Sequence, residues 1–290
     1  MMLKKCLSNV KANIIGALLM PFMLLACADE IKVNTPSDAI FDSVSEAANG
    51  GHRSEEHIAR NAFRHPVETL AFFGLQPDMT VVEISPGALW YTEILAPVLK
   101  HQGRLIAAAY DAELPSARPF HKRLMNEMLE QFEKQPSVFA NVEIAKFTPP
   151  NVIDLGADDS ADMVLTFRNS HGWVHAGSAV KAYQSFFNVL KPGGVLGVVQ
   201  HRGDNRLLST NSEKMSGYLS EAEIIALASN AGFVLEAKSE INANLNDTKD
   251  YEKGVWALPP GLATSWFKRK EHMAIGESDR MTLKFRKPLL

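Results

Sequence analysis

The feature that most constrains this chain is an alternation of short apolar runs with helix-patterned stretches over residues 80–240. Strand-length runs stand at 80–85 (TVVEIS), 104–110 (RLIAAAY), 142–147, 162–167 (DMVLTF) and 195–200 (VLGVVQ), with helical patterns over 90–100, 118–134 and 178–190. The run at 195–200 is almost wholly apolar, as expected of a strand covered on both faces. A further helix over 220–231 opens on Ser220 with Glu223 three residues later, the spacing of a capping box. Strands at 233–239 and 280–286 complete the set. This order predicts one α/β domain with a mainly parallel, doubly wound sheet over 53–290. Residues 241–278, with Pro259-Pro260-Gly261, break the alternation and are expected to be an insertion. The 53–73 stretch reads as helix, with Ser54 near its start and Pro66 to kink or split it. Residues 27–52 are small and polar and read as a tether.

Composition removes several classes of function. With 46% hydrophobic and 22% charged residues, the 290-residue chain can bury a core and lacks the signature of disorder. A formal net charge of -3 excludes a strongly basic nucleic-acid arm. Two cysteines without CxxC spacing give neither a disulfide framework nor a structural zinc site. His52 and His57, five apart, fall off one helical face and do not suggest a metal pair.

The first residues read as an address. Lys4, Lys5 and Lys11 precede an apolar run over 14–26, too short to span a bilayer, which takes about 20 residues. Leu24-Leu25-Ala26-Cys27 resembles the lipobox of bacterial lipoproteins. The resemblance implies cleavage before Cys27, lipid on that cysteine, and an extracytoplasmic, membrane-anchored location on the periplasmic side. Residues 1–26 carry three lysines and no acid, so their loss takes the formal charge from -3 to -6. Cys6 leaves with them.

In a doubly wound sheet the ligand lies outside the carboxyl ends of the strands. The loop after the first strand, Ser85-Pro86-Gly87-Ala88-Leu89-Trp90, brings small residues and backbone N–H groups to that place. Glu83, an acid within an apolar strand, is expected either to hold this loop or to meet a ligand's cation. Asp111 ends the second strand at a spacing suited to ribose hydroxyls. His171 follows the fourth strand with Arg168 and Asn169, on the side where an acceptor approaches. Its ordinary titration range suits a general base, and a loop brace is the other reading. His201 and Arg202 follow the fifth strand toward the same mouth. Arg64 and His65 either cap the pocket or neutralise Glu68, and Trp90-Tyr91 either stack on a base or pack in the core.

Several stretches resemble the class I S-adenosylmethionine-dependent methyltransferases, and most of all a poorly characterised bacterial group that is often exported. They include Arg53-Ser54-Glu55-Glu56, the run from Arg64-His65-Pro66 to Phe73-Gly74, and Val82-Glu83-Ile84-Ser85-Pro86-Gly87. Trp90-Tyr91-Thr92-Glu93, Thr166-Phe167-Arg168-Asn169 with His171, Leu190-Lys191-Pro192-Gly193-Gly194 and Gly276-Glu277-Ser278-Asp279-Arg280 continue the likeness across 53–288. The resemblance implies a Rossmann-like, seven-stranded sheet with an antiparallel C-terminal strand, and S-adenosylmethionine as cofactor. It also implies a methyl acceptor, here a small molecule, since the acidic charge disfavours nucleic acid. Glu83, Ser85, Gly87 and Leu89 would then hold the methionine end, Asp111 the ribose, and Arg168, Asn169 and His171 the acceptor side.

The departures are local. The acid-x-Gly-x-Gly-x-Gly motif has Ser85, Gly87 and Leu89 at its glycine positions, and a leucine there is expected to crowd the methionine part of the ligand. The third strand ends Lys146-Phe147-Thr148, without the acid that often meets the adenine amine. A nicotinamide oxidoreductase is disfavoured: Gly-x-Gly-x-x-Gly is absent, and none of Tyr91, Tyr110, Tyr183, Tyr218 and Tyr251 has a lysine four residues on. The stronger rival is a catalytically inactive binding protein on the same scaffold, because an exported chain leaves the compartment where the cofactor is made.

Overall fold

Side chains at successive strand positions point to opposite faces of a sheet, so an apolar strand feeds two cores at once. In the computed structural model of the chain, which describes residues 36–203 and 216–289, eight strands form one sheet whose central strands do this. They are β1 (Thr80–Ile84), β2 (Arg104–Ala109), β3 (Val142–Thr148), β4 (Val152–Asp154), β5 (Ala161–Phe167), β6 (Leu190–His201), β7 (Val234–Ser239) and β8 (Arg280–Arg286). Their order is β4-β3-β2-β1-β5-β6-β8-β7. The central pairings β3-β2, β2-β1, β1-β5 and β5-β6 are parallel, while β8 runs antiparallel to both β6 and β7.

Val81, Met163, Leu165, Val195 and Val199 enter one core, and Val82, Val164, Leu196 and Val198 the other. Gly197 lies on the first face because Phe73 packs there. A Cβ at this position would come within 2.8 Å of the ring.

The first core is covered by α1 (Pro36–Ala48), α4 (Pro66–Phe73) and α5 (Thr92–Leu99), with the short α2 (Glu55–Ala59) and α3 (Asn61–Arg64) between α1 and α4 in the chain. Beside it, α6 (Pro119–Lys134) sets Met128 against Leu89, Ala107 and Ala109, and the single turn α7 (Pro136–Phe139) adds Phe139. The other core is closed by α8 (Ser170–His175), α9 (Ala179–Val189) and α10 (Glu221–Asn230), through Trp173, Tyr183, Phe186 and Ile224. Ser220 and Glu223 form the expected reciprocal cap of α10. Between β7 and β8 the chain makes loops, a 3-10 turn at Gly254–Ala257 and α11 (Arg269–Ile275).

Two expectations change. The sheet has eight strands rather than seven; the extra one is the three-residue β4, antiparallel to β3 and too short to show alternation. Residues 36–48 are no tether: they form α1, which buries Ile40, Val44, Ala47 and Ala48 against α4 and α5. Those four recur at helical spacing, and that signal was present in the sequence. As expected, Pro66 divides the front helix, with His65 at φ 40 between α3 and α4. The signal-type segment and Cys27 lie outside the described residues.

Candidate functional site at the carboxyl ends of the strands

A cavity of about 540 Å³ opens where β1, β5 and β6 end. Glu83 and the 85–88 turn supply one wall, Phe167 to His171 another, and His201 the end of β6. Tyr110 comes from the end of β2, Arg60 and Arg64 from the front helices, and Trp256 from the insertion. Larger hollows of about 870 and 710 Å³ lie at the 248–275 segment and beside α1. Neither gathers groups displaced as far from their ordinary titration as those lining this one.

The turn after β1 is left-handed at all three motif positions: φ is 49 at Ser85, 62 at Gly87 and 64 at Leu89. Only glycine takes such angles without strain. The backbone course that a glycine motif would give is therefore kept by two residues with side chains. Ser85 Oγ is buried and makes no hydrogen bond of good geometry among the described residues. Ser85→Gly is expected to raise stability by about 1 kcal/mol, by removing an unpaired buried hydroxyl and a left-handed serine. Urea denaturation measures it, and a loss of stability would show that the hydroxyl is satisfied in solution.

Glu83 is 2% exposed and accepts a 2.7 Å hydrogen bond from Thr92 Oγ1. Burial pushes its carboxyl up to about 7, against the lowering effect of that bond, and Glu93 adds to the rise. Asn169 Nδ2 donates to the carbonyl oxygens of Ile84 (2.8 Å) and Ser85 (3.3 Å), tying the end of β5 to the turn. Tyr91 stacks on Phe167 at 3.5 Å, and Trp90 packs between the Arg53 and Arg64 guanidiniums, which lie 4.7 and 4.6 Å from its ring centre. Core packing thus explains both aromatics, although each also edges the cavity. Tyr110, at another wall, stacks on His121 at 3.8 Å.

His171 lies within the cavity, 5.7 Å ring to ring from His201 and 5.8 Å from Trp256. Burial lowers its imidazole to about 4, opposed by the Gln200 side chain and helped by Arg168. His201, whose Nδ1 meets Ser278 Oγ, is likewise held well below its ordinary value, chiefly by burial. Both rings are neutral around pH 7. The expectation that His171 titrates where a general base is effective does not hold, because burial beside a guanidinium moves it too far.

Two expected site residues lie elsewhere. Leu89 is 3% exposed and packs with Ala107, Ala109 and Met128, so its side chain leaves the cavity uncrowded. Asp111 does not line the cavity; its carboxylate accepts the Glu113 N–H at 3.0 Å and pairs with Lys146 at 3.4 Å. Arg202 and His65 also stay outside, Arg202 being paired with Asp279, Glu221 and Glu240. Glu83, Ser85, Gly87, Arg168, Asn169 and His171 do come together.

The sequence reading named Arg64 and Arg168 but gave no role to Glu277 or Arg60, which join them beneath this cavity. Glu277, 3% exposed, meets Arg60 Nε at 2.6 Å, Arg64 Nε at 3.2 Å, Arg280 Nη1 at 3.0 Å and Arg168 Nη1 at 3.9 Å. Burial alone would raise its carboxyl, but the four arginines hold it well below the usual range. A charged Gly-Glu-Ser-Asp-Arg run entering a strand was the available signal.

No known family signature matches the sequence, and no curated protein matches it. Solved structures do. A SAM-dependent methyltransferase from Aquifex aeolicus is 15% identical, with a TM-score of 0.53 over 85% of this chain and 98% of that one. The chain has the fold of the SAM-dependent methyltransferases. The [4+2]-cyclase SpnF aligns as well, at 12% identity and a TM-score of 0.51, over 88% of this chain and 97% of SpnF. At these identities the likeness is one of fold.

Proposed function

We propose that the chain binds S-adenosylmethionine in the cavity at the ends of β1 and β5 and transfers its methyl group to a small-molecule acceptor. The observation that carries this reading is the left-handed turn at Ser85, Gly87 and Leu89 beside a buried acid. That combination brings bare backbone and one carboxylate to the same wall, which suits the amino-acid end of the cofactor. When bound, the cofactor supplies an electrophilic methyl on a sulfonium.

Glu83 would accept the ligand's ammonium, which favours the carboxylate form that burial alone disfavours. Gly87 leaves open space above the turn: nothing lies closer than 4.0 Å to a Cβ built there. Asn169 keeps β1 and β5 in register at the site. His171 and His201 offer neutral ring nitrogens that orient an acceptor without charging it. Alignment of two bound partners supplies most of the acceleration in such a displacement, so a strong base is not required when the acceptor already carries its lone pair. The compartment in this reading is extracytoplasmic, with lipid on Cys27, as the resemblance of the leading residues implies.

A second reading, a binding protein on this scaffold without methyl transfer, is favoured by Asp111. The acid placed to serve a ribose is turned to Lys146 and the Glu113 amide. Glu83 is the sole acid lining the cavity among the described residues. Titration calorimetry of S-adenosylmethionine and S-adenosylhomocysteine into the purified chain separates the two. Saturable binding that is lost in Glu83→Gln is the expected result. No heat from either ligand at millimolar concentration would sink the cofactor reading.

A further inference from the structure

We propose that the wall formed by Arg60, Arg64 and Arg168 is a binding site for a carboxylate or phosphate group carried by the ligand. The inference rests on the cavity being the ligand site, and it specifies what chemistry the ligand must bring. Four guanidiniums converge on the single carboxylate of Glu277. One of them is fully committed: Arg280 bonds Glu277 through Nη1, the Phe63 carbonyl through Nη2 and the Ser278 carbonyl through Nε, and it does not line the cavity.

The other three line the cavity and are under-used. Arg60 gives only Nε to Glu277. Arg64, 2% exposed, likewise gives only Nε, and its Nη1 is buried with no acceptor. Arg168 stands 3.9 Å from the carboxylate and makes no side-chain hydrogen bond among the described residues. One negative charge therefore faces four positive ones, an excess of three.

Among the described residues no neighbour offsets this excess. His171 and His201 are neutral, and Glu83 is held partly protonated by burial at neutral pH. The Tyr91 hydroxyl donates to the Arg64 carbonyl. General basicity is not the cause, since the whole chain has a formal charge of -3. Uncompensated buried charge is costly, and a bound anion relieves it. Guanidinium forks also match the paired oxygens that a planar carboxylate or a tetrahedral phosphate presents.

The test uses the full chain with inorganic phosphate and with benzoate as probes, at ionic strength held constant with chloride. Thermal unfolding should show saturable stabilisation by a probe that chloride does not reproduce. Its affinity should fall about tenfold or more in Arg60→Gln and in Arg168→Gln, the loss of one charge-assisted bond. No saturable effect in the wild-type chain, or wild-type affinity retained in both variants, overturns the site; the first outcome needs no variant to fold. Repeating the titration with S-adenosylhomocysteine present identifies the source of the anion. Undisturbed probe binding assigns the site to the acceptor. Competition by S-adenosylhomocysteine but not by methylthioadenosine assigns it to the cofactor's carboxylate. Probe binding with no S-adenosylhomocysteine binding keeps the anion site and rejects the cofactor reading; the converse rejects the anion site alone.

Discussion

Glu277→Gln is expected to destabilise the chain by about 3–5 kcal/mol at pH 7, the usual cost of removing one partner from a buried ion network. Its carboxylate is the common partner of Arg60, Arg64 and Arg280, and a neutral amide leaves those guanidiniums facing one another. The pH dependence identifies the cause. The arginines hold the folded-state carboxyl below its ordinary glutamate value of 4.5, so its contribution is complete above that pH and fades as pH falls below it. Wild type and variant should therefore differ most near neutrality and converge in acid. A loss smaller than 1 kcal/mol at pH 7 in urea denaturation would mean that solvent, not Glu277, neutralises the arginines.

Glu83→Gln should act with the opposite sign. Burial lifts this carboxyl to about 7 from an ordinary 4.5, so the folded state holds a proton that the unfolded state has released. Stability consequently falls as pH rises from about 4.5 to about 7 and is flat above. The full span corresponds to about 3 kcal/mol at 1.36 kcal/mol per pKa unit. The glutamine keeps an acceptor for Thr92 and no longer ionises, so the variant should be about 3 kcal/mol more stable than wild type at pH 8 and equal to it at pH 4. The same substitution should abolish binding of a ligand that presents an ammonium here. Stability gained together with binding lost is the mark of a group kept for function at the expense of the fold. A variant that is no more stable at pH 8 would mean that the native carboxylate already has a compensating partner.

The core strands were legible because burial on two faces forces apolar runs of strand length. β1, β2, β5 and β8 fall within a residue or two of their expected bounds. The Ser220 cap was legible because its chemistry is local. β4 and α7 are too short for any period to register, and α8 follows β5 without a capping side chain. At the site, Glu83 was legible as an acid in an apolar strand, and Arg64 as a candidate cap. Asp111 misled because spacing places a residue near a strand end without fixing its direction, and Lys146 on the adjacent strand decides that direction. The arginine cluster could not be read along the chain, because Arg60 and Glu277 are 217 residues apart and meet through the fold alone.

The sheet order has a consequence for how the chain matures. β8 lies between β6 and β7, yet it follows both in sequence. Until it is made, β7 has no hydrogen-bonded neighbour among the described strands, and the apolar β6 presents an open edge. β8 joins β7 to the rest of the sheet through a pairing with β6 of long sequence separation, and such pairings form slowly. The segment that fills the gap also delivers Glu277 and Arg280. The charged floor of the cavity therefore arrives with the closing of the sheet. A growing chain that stops short of residue 277 holds Arg60 and Arg64 without their shared counter-ion, so the charge balance of the cavity and the closing of the sheet are one late event.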